Sequence, residues 1–164
     1  MKALWLSAAL SLGIAPALAQ EVPLDETLIR QCLRGGGDVQ CIGVAVEPCI
    51  AGLGGYSTVA HQACARAELA WWDGLLNEVY GTAMARARDS DAANATEIRA
   101  SVRPSDADAL RRMQRAWIGF RDAACGYEAL QWWGGTGASG AEAECLMRMT
   151  GEQALALQGF ARER

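Results

Sequence analysis

The chain has 164 residues and a formal net charge of −4 at neutral pH. This length is enough for one domain with a core of its own. The acidic balance argues against a nucleic-acid-binding protein, because too few cations are present to neutralise phosphates, and it is compatible with a basic protein partner.

The N-terminus has the three parts of a secretory signal peptide. Lys2 precedes an apolar run that ends at Ala15, and Ala17-Leu18-Ala19 matches the small-residue cleavage pattern. The apolar run is too short to span a bilayer. We therefore predict a cleaved signal peptide over residues 1–19, a periplasmic or secreted protein, and no membrane anchor after cleavage.

The cysteines all lie beyond the predicted cleavage site. They are Cys32, Cys41, Cys49, Cys64, Cys125 and Cys145. An even number in a small exported chain predicts three disulfides, although the sequence alone does not select the pairing. His61 is the only histidine and no C-x-x-C pair is present, so neither a metal site nor a cofactor is predicted.

The N-terminal part of the mature chain contains one clear helical pattern. Residues 21–34 carry apolar side chains at helical spacing, and Gly35 follows them. Residues 38–58 are rich in cysteine and glycine, and two short helical turns held by disulfides are as compatible with this segment as strands. Residues 20–44 form a predicted Cys-containing extension, and a helical domain is predicted over residues 45–164.

A long helix is predicted over residues 59–87, with Ser57 or Thr58 as its N-cap. Its predicted inner face consists of Cys64, Glu68, Trp71 or Trp72, Leu75, Leu76, Val79 and Ala83. Asn77 and Tyr80 fall close to this face. Because a buried Asn requires a partner, we expect an interhelical hydrogen bond from Asn77. The polar residues 88–103 then predict a loop containing one helical turn.

The central helix is predicted to begin after the N-cap Ser105 and to reach Trp133. Its predicted inner face consists of Leu110, Met113, Ala116, Trp117, Phe120 and Ala124. Because Trp117 and Arg121 are four residues apart, the guanidinium can lie across the indole. Asp73 and Glu68 are the candidate carboxylate partners of Arg121.

The C-terminal part of the sequence predicts a helical hairpin. Residues 134–140 are a glycine-rich loop, and the last helix is predicted over residues 141–162. Cys125 and Cys145 flank the loop, so an antiparallel hairpin brings them together. This is the favoured disulfide, and closing such a loop stabilises the fold by about 3 kcal/mol in the chain-entropy model. Trp132 and Trp133 are adjacent, so both cannot face the core: one caps the hairpin or serves as an exposed anchor for a partner.

Two sequence patterns carry a resemblance to a known family. They are Leu76-Asn77-x-x-Tyr80 and Gln114-x-Ala116-Trp117-Ile118-x-x-Arg121-Asp122-x-x-Cys125, followed by Gly134-Gly135 and Cys145. Over residues 45–160 the chain resembles the DUF1311 family, named for the lysozyme inhibitor LprI. The resemblance implies a helical, exported protein that inhibits a lysozyme. Gln153 departs from the family pattern, which often has Arg at this position.

Together these features predict an all-α fold: a small antiparallel helical bundle stapled by disulfides, with a Cys-rich N-terminal extension and an LprI-like domain over residues 45–164. The predicted function is binding, not catalysis, and the expected partner is a lysozyme or another cell-wall lytic enzyme. Candidate partner-binding residues are Trp132, Trp133, Gly134, Gly135, Thr136 and Ser139. The candidate structural motif comprises Asn77, Tyr80, Trp117 and Arg121.

Two alternative functions remain open at this point. One is a periplasmic structural or adaptor protein that inhibits no enzyme, which a buried Trp pair would favour. The other is a glycan-binding or hydrolytic envelope enzyme, which an exposed Trp pair beside two carboxylates would favour. Glu68 and Asp73 do not suit a glycosidase pair, because at five residues apart on one helix they point in different directions.

Overall fold

The structure is a computed structural model that describes residues 22–162, and within this range every regular element is helical. The elements are α1 (Glu26–Arg34), a 3-10 turn (Val39–Cys41), α2 (Val46–Gly52), α3 (Thr58–Ala93), α4 (Ala95–Ala100), α5 (Asp106–Leu130) and α6 (Ala138–Arg162). The predicted all-α fold is therefore confirmed. The predicted signal peptide over residues 1–19 lies outside the described residues.

The N-terminal segment folds as short helices that disulfides hold in place. The Asp25 side chain caps α1, and hydrogen bonds from the side chain and backbone of Thr27 lower the pKa of this carboxyl. The Cys32–Cys41 disulfide joins α1 to the 3-10 turn, with 5.6 Å between the Cα atoms. Of the two alternatives for residues 38–58, the structure contains the helical turns.

Helix α3 is the longest element and carries the core. The Ser57 hydroxyl accepts a hydrogen bond from the Ala60 N–H at 3.0 Å, as predicted for an N-cap. The helix ends at Ala93 rather than at Ala87, because the polar segment that follows Ala87 contains no Gly or Pro to stop it before Asn94. The predicted inner face is confirmed, with these residues buried: Cys64, Glu68, Trp72, Leu76, Val79 and Ala83.

The inner face predicted for α5 is confirmed only in part, since Leu110 and Trp117 are half-buried against the core. Its buried residues are Ala107, Gln114 and Cys125. Met113, Ala116 and Phe120, which the sequence placed inside, are exposed. The buried Gln114 has a partner, since its Oε1 accepts a hydrogen bond from Gln153 Nε2 at 3.0 Å.

Helix α6 packs between α3 and α5. It is antiparallel to α5, to which the Cys125–Cys145 disulfide joins it with 5.4 Å between the Cα atoms. It runs in the same direction as α3, and Gly151 allows it to pack closely against the indole of Trp72. The Cys49–Cys64 disulfide joins α2 to α3, so all the cysteines are paired. None of the described helices has the length and hydropathy of a membrane span.

Candidate partner-binding site

The candidate site lies at the end of the bundle where α5 stops and α6 begins. The first turn of α3 lies at the same end, because α3 and α6 run in parallel. The predicted central helix ends at Leu130 instead of Trp133, and α6 begins at Ala138 instead of Ala141. The connection is therefore residues 131–137, referred to below as the Trp loop.

The backbone of the Trp loop makes a sharp reversal. Trp133 has φ 49° and the following Gly134 has φ 77°, so two successive residues adopt left-handed conformations. Such a conformation is easy for glycine but unfavourable for a bulky side chain, and it usually marks a constrained or functional position. The turn is held by a hydrogen bond of 2.7 Å from the Gly135 N–H to the Trp132 carbonyl.

The two indoles of the loop differ in their surroundings. Trp132 is 52% exposed and folds back against the backbone of Gly137, where a Cβ atom would overlap its ring. Trp133 is 95% exposed. Single exposed apolar side chains are common at protein surfaces, but Trp is among the residues that contribute most to binding when an interface buries them.

A small cavity lies beside Trp132. Its volume is about 250 Å³, and Tyr56, His61, Thr136 and Glu144 contribute to its wall. His61 stacks on the Tyr56 ring, with 6.0 Å between the ring centroids, and its Nε2 lies 3.4 Å from a carboxylate oxygen of Glu144. These contacts connect the link before α3 and the first turn of α3 to the second turn of α6.

The cavity has an acidic rim. Glu128 of α5 and Glu144 of α6 both line it. Glu128 lies 3.6 Å from Arg148, and Glu144 lies 3.4 Å from His61. In the described part of the chain, no group of three His, Cys, Asp or Glu residues is arranged to hold a metal ion.

The other predicted loop residues divide between the surface and α6. Gly134, Gly135 and Thr136 are exposed. Ser139, which the sequence placed in the loop, lies in the first turn of α6 and is half-buried. The structure thus places the predicted partner-binding residues at one end of the bundle.

The predicted motif residues Trp117 and Arg121 lie away from this end and link α5 to α6. The Arg121 guanidinium lies 5.0 Å from the centroid of the Trp117 ring. Its Nη1 donates to the Thr150 hydroxyl at 3.2 Å, and its Nη2 donates to Asp122 at 2.8 Å. Neither Asp73 nor Glu68 pairs with Arg121, so that expectation was wrong.

Glu68 instead holds the N-terminal segment against α3. Its carboxylate is fully buried and accepts hydrogen bonds from the Gly43 N–H at 2.6 Å, the Ala45 N–H at 3.1 Å and the Trp72 indole at 3.0 Å. Three donors satisfy both carboxylate oxygens, which is what a buried carboxylate requires. Glu68 therefore has a structural role.

Asn77 and Tyr80 do not form a buried polar network. Asn77 is exposed and donates to Asp73 Oδ2 of its own helix at 3.1 Å, so the expected interhelical hydrogen bond is absent. Tyr80 is half-buried against the hydrophobic core. Glu68 is buried while Asp73 is exposed, so these two carboxylates do point in different directions.

Comparison with known proteins identifies the family. A model of the family described as lysozyme inhibitor LprI matches residues 49–157. The chain belongs to the LprI family. The LprI match contains the Trp loop and the cysteines of two disulfides, Cys49–Cys64 and Cys125–Cys145.

One curated relative is similar over the whole chain. It is described as an uncharacterized 17.7 kDa protein in the puhA 5′ region of Rhodobacter capsulatus, and it is 26% identical over 163 residues, 99% of each chain. No solved structure is significantly similar to this LprI family member.

Tyr56, His61 and Glu144 were not predicted from the sequence to be neighbours of the Trp loop. His61 and Glu144 each lie near the start of a helix, and this position is visible in the sequence. The parallel direction of α3 and α6, which places these two helix starts side by side, is not. Only the packing of the helices brings the N-terminal ends of α3 and α6 together.

Proposed function

We propose that this protein is exported and binds a cell-wall lytic enzyme of the lysozyme type, whose active-site cleft it blocks with the Trp loop. The family description supports inhibition, and inhibitors act by binding, not by catalysis. The three disulfides support an oxidising compartment outside the cytoplasm.

The observation that carries the proposal is the nearly complete exposure of Trp133 on a short, anchored loop. The Cys125–Cys145 disulfide closes the hairpin below the loop, and Gly137 lets Trp132 pack against the loop backbone. A loop held in this way loses little conformational entropy on binding. Trp side chains on such loops are typical of the residues that dominate binding energy.

Charge supports a basic enzyme as the partner. The whole chain has a net charge of −4, and Glu128 and Glu144 lie beside Trp132. Attraction between opposite charges across an interface accelerates association, and added salt weakens this attraction. Inhibition should therefore decrease as the ionic strength rises.

A glycan-binding or hydrolytic function has one observation in its favour, because Trp132 is half-exposed and lines a cavity with two carboxylates. The cavity of about 250 Å³ is, however, smaller than the roughly 300–1,000 Å³ of ordinary ligand pockets. Glu128 also lies 3.6 Å from Arg148, and Glu144 lies 3.4 Å from His61, so both carboxylates already have protein partners. These features favour a protein partner over a sugar ligand.

The test is a titration of the purified chain over residues 20–164, with its disulfides formed, against c-type lysozyme, g-type lysozyme and the lytic enzymes of the host bacterium. The proposal predicts salt-sensitive loss of cell-wall lysis at a near-stoichiometric ratio for one of them. If none is inhibited at large excess, the protein fits a structural or adaptor role instead. Lysis of cell walls by the protein alone would indicate an enzyme.

A further inference from the structure

Helix α5 carries an apolar stripe on its solvent side, and only at one end of it does Met113 also contact Gln153 of α6. The stripe consists of Met113, Ala116, Phe120, Ala123, Tyr127 and Leu130, all exposed. Phe120 is 65% exposed, Tyr127 67% and Leu130 70%. The buried residues Gln114 and Cys125 lie on the other side of the helix, against α6.

The spacing of the stripe is that of a coiled-coil seam. Intervals of three and four residues alternate from Met113 to Leu130, which gives a period of about 3.5 residues. Such a strict repeat keeps one narrow face of a helix directed towards another helix over its whole length. None of the six positions is charged. The occupant that fits this face is therefore a helix.

We propose that the occupant is α5 of a second copy of this chain, packed antiparallel across a two-fold axis between Arg121 and Asp122. This arrangement places Phe120 opposite Ala123 of the second copy and Tyr127 opposite Ala116 of the second copy. Each large ring then faces a methyl group, and symmetry repeats both contacts, as an isologous interface requires.

The same surface does not suit a parallel dimer. In that arrangement Phe120 would face Phe120 and Ala123 would face Ala123, so crowded layers would alternate with empty ones. The antiparallel register also places Met113 opposite Leu130 of the second copy, so no end of the stripe remains uncovered.

The residues beside the stripe allow close approach. Gly119 and Gly126 flank it, and a Cβ atom at either position would meet nothing within 4 Å. Arg121 and Asp122, which are level with the axis along the helix, lie outside the stripe and pair with each other at 2.8 Å.

The stripe spans about 26 Å at the 1.5 Å rise of an α-helix. A contact between two helices of this length falls at the small end of specific interfaces, which indicates a weak, concentration-dependent dimer. The two Trp loops would lie at opposite ends of the paired helices and remain free. The dimer is independent of the proposed inhibition.

Sedimentation of the chain over residues 20–164, at concentrations up to about 1 mM, tests the dimer. The wild type should associate reversibly. Phe120→Glu and Tyr127→Glu should each raise the dissociation constant at least about tenfold with unchanged circular dichroism. Ile118→Glu is the matched control, because Ile118 is an exposed apolar residue of α5 outside the stripe, and it should leave association unchanged.

A mixture of variants tests the antiparallel register. Ala123→Lys alone should weaken association, whereas Phe120→Glu mixed with Ala123→Lys should associate more tightly than either alone, because the introduced charges face each other. A wild type that stays monomeric throughout would overturn the proposal. So would an unaffected Phe120→Glu variant, an Ile118→Glu variant that dissociates equally, or a mixture that associates no better than its components.

Discussion

The indole of Trp132 packs against the backbone of Gly137, in space that any larger residue at position 137 would need. This contact determines where the half-exposed ring lies and shapes one wall of the cavity beside it. The Trp132 ring can therefore occupy this position only because residue 137 is a glycine.

Replacing Gly137 with Ala should displace Trp132 and weaken inhibition of the target enzyme several-fold. The added methyl group would overlap the ring, so either the indole or the loop backbone has to move. The inhibition constant and the Trp fluorescence emission measure the two effects. Gly74→Ala is the control, since its Cβ would meet open space on α3 and should only stabilise the helix, by up to about 1 kcal/mol. If Gly137→Ala inhibits as well as the wild type, the contact does not position the site.

Replacing Glu68 with Gln should lower the free energy of unfolding by about 1.5–3 kcal/mol. The carboxylate accepts three hydrogen bonds, and an amide nitrogen at either oxygen position would face an N–H donor. Urea unfolding measures the loss. Asp73→Asn is the matched control, because Asp73 is exposed on the same helix and should change stability by less than about 0.5 kcal/mol. Equal effects of the two substitutions would contradict the structural role of Glu68.

Removing the Cys125–Cys145 disulfide by paired Ser substitutions should cost about 3 kcal/mol of stability. The disulfide closes a connection of 20 residues, against 9 for Cys32–Cys41, so the unfolded chain gains more freedom when it is lost. Thermal unfolding compares the stability of this variant with that of a second variant, in which Cys32 and Cys41 are both replaced by Ser. We also expect weaker inhibition only from the Cys125–Cys145 variant, whose disulfide supports the Trp loop. A larger stability loss from the Cys32–Cys41 variant would contradict the loop-length argument.

Helix content and the inner face of α3 could be predicted because local pattern determines them. Cys64, Trp72 and Leu76 recur at helical spacing on one side of a long helix, and core packing follows that spacing directly. Ser57 and Ser105 cap their helices through their own backbone neighbours, which also requires no tertiary information.

The inner face of α5 could be predicted only in part from apolar spacing, because this helix has two candidate faces that share Leu110 and Trp117 at their border. The more apolar face contains Phe120 and is exposed, whereas the buried face contains Gln114. The disulfide from Cys125 and the hydrogen bond from Arg121 to Thr150 hold that second face against α6. The hydrogen-bond donors to Glu68 could not be predicted either, because the backbone N–H groups of Gly43 and Ala45 reach the carboxylate only after the N-terminal segment has folded.

The central claim is that the Trp loop makes the inhibitory contact. The most direct measurement is the inhibition constant of the Trp132→Ala/Trp133→Ala variant against the lytic enzyme that the wild type inhibits, beside a Phe160→Ala control. Phe160 is an exposed aromatic residue near the C-terminal end of α6, at the opposite end of the bundle. We expect about a hundredfold loss for the Trp variant, with unchanged helical circular dichroism, and no change for the control. Undiminished inhibition by the Trp variant would contradict the central claim.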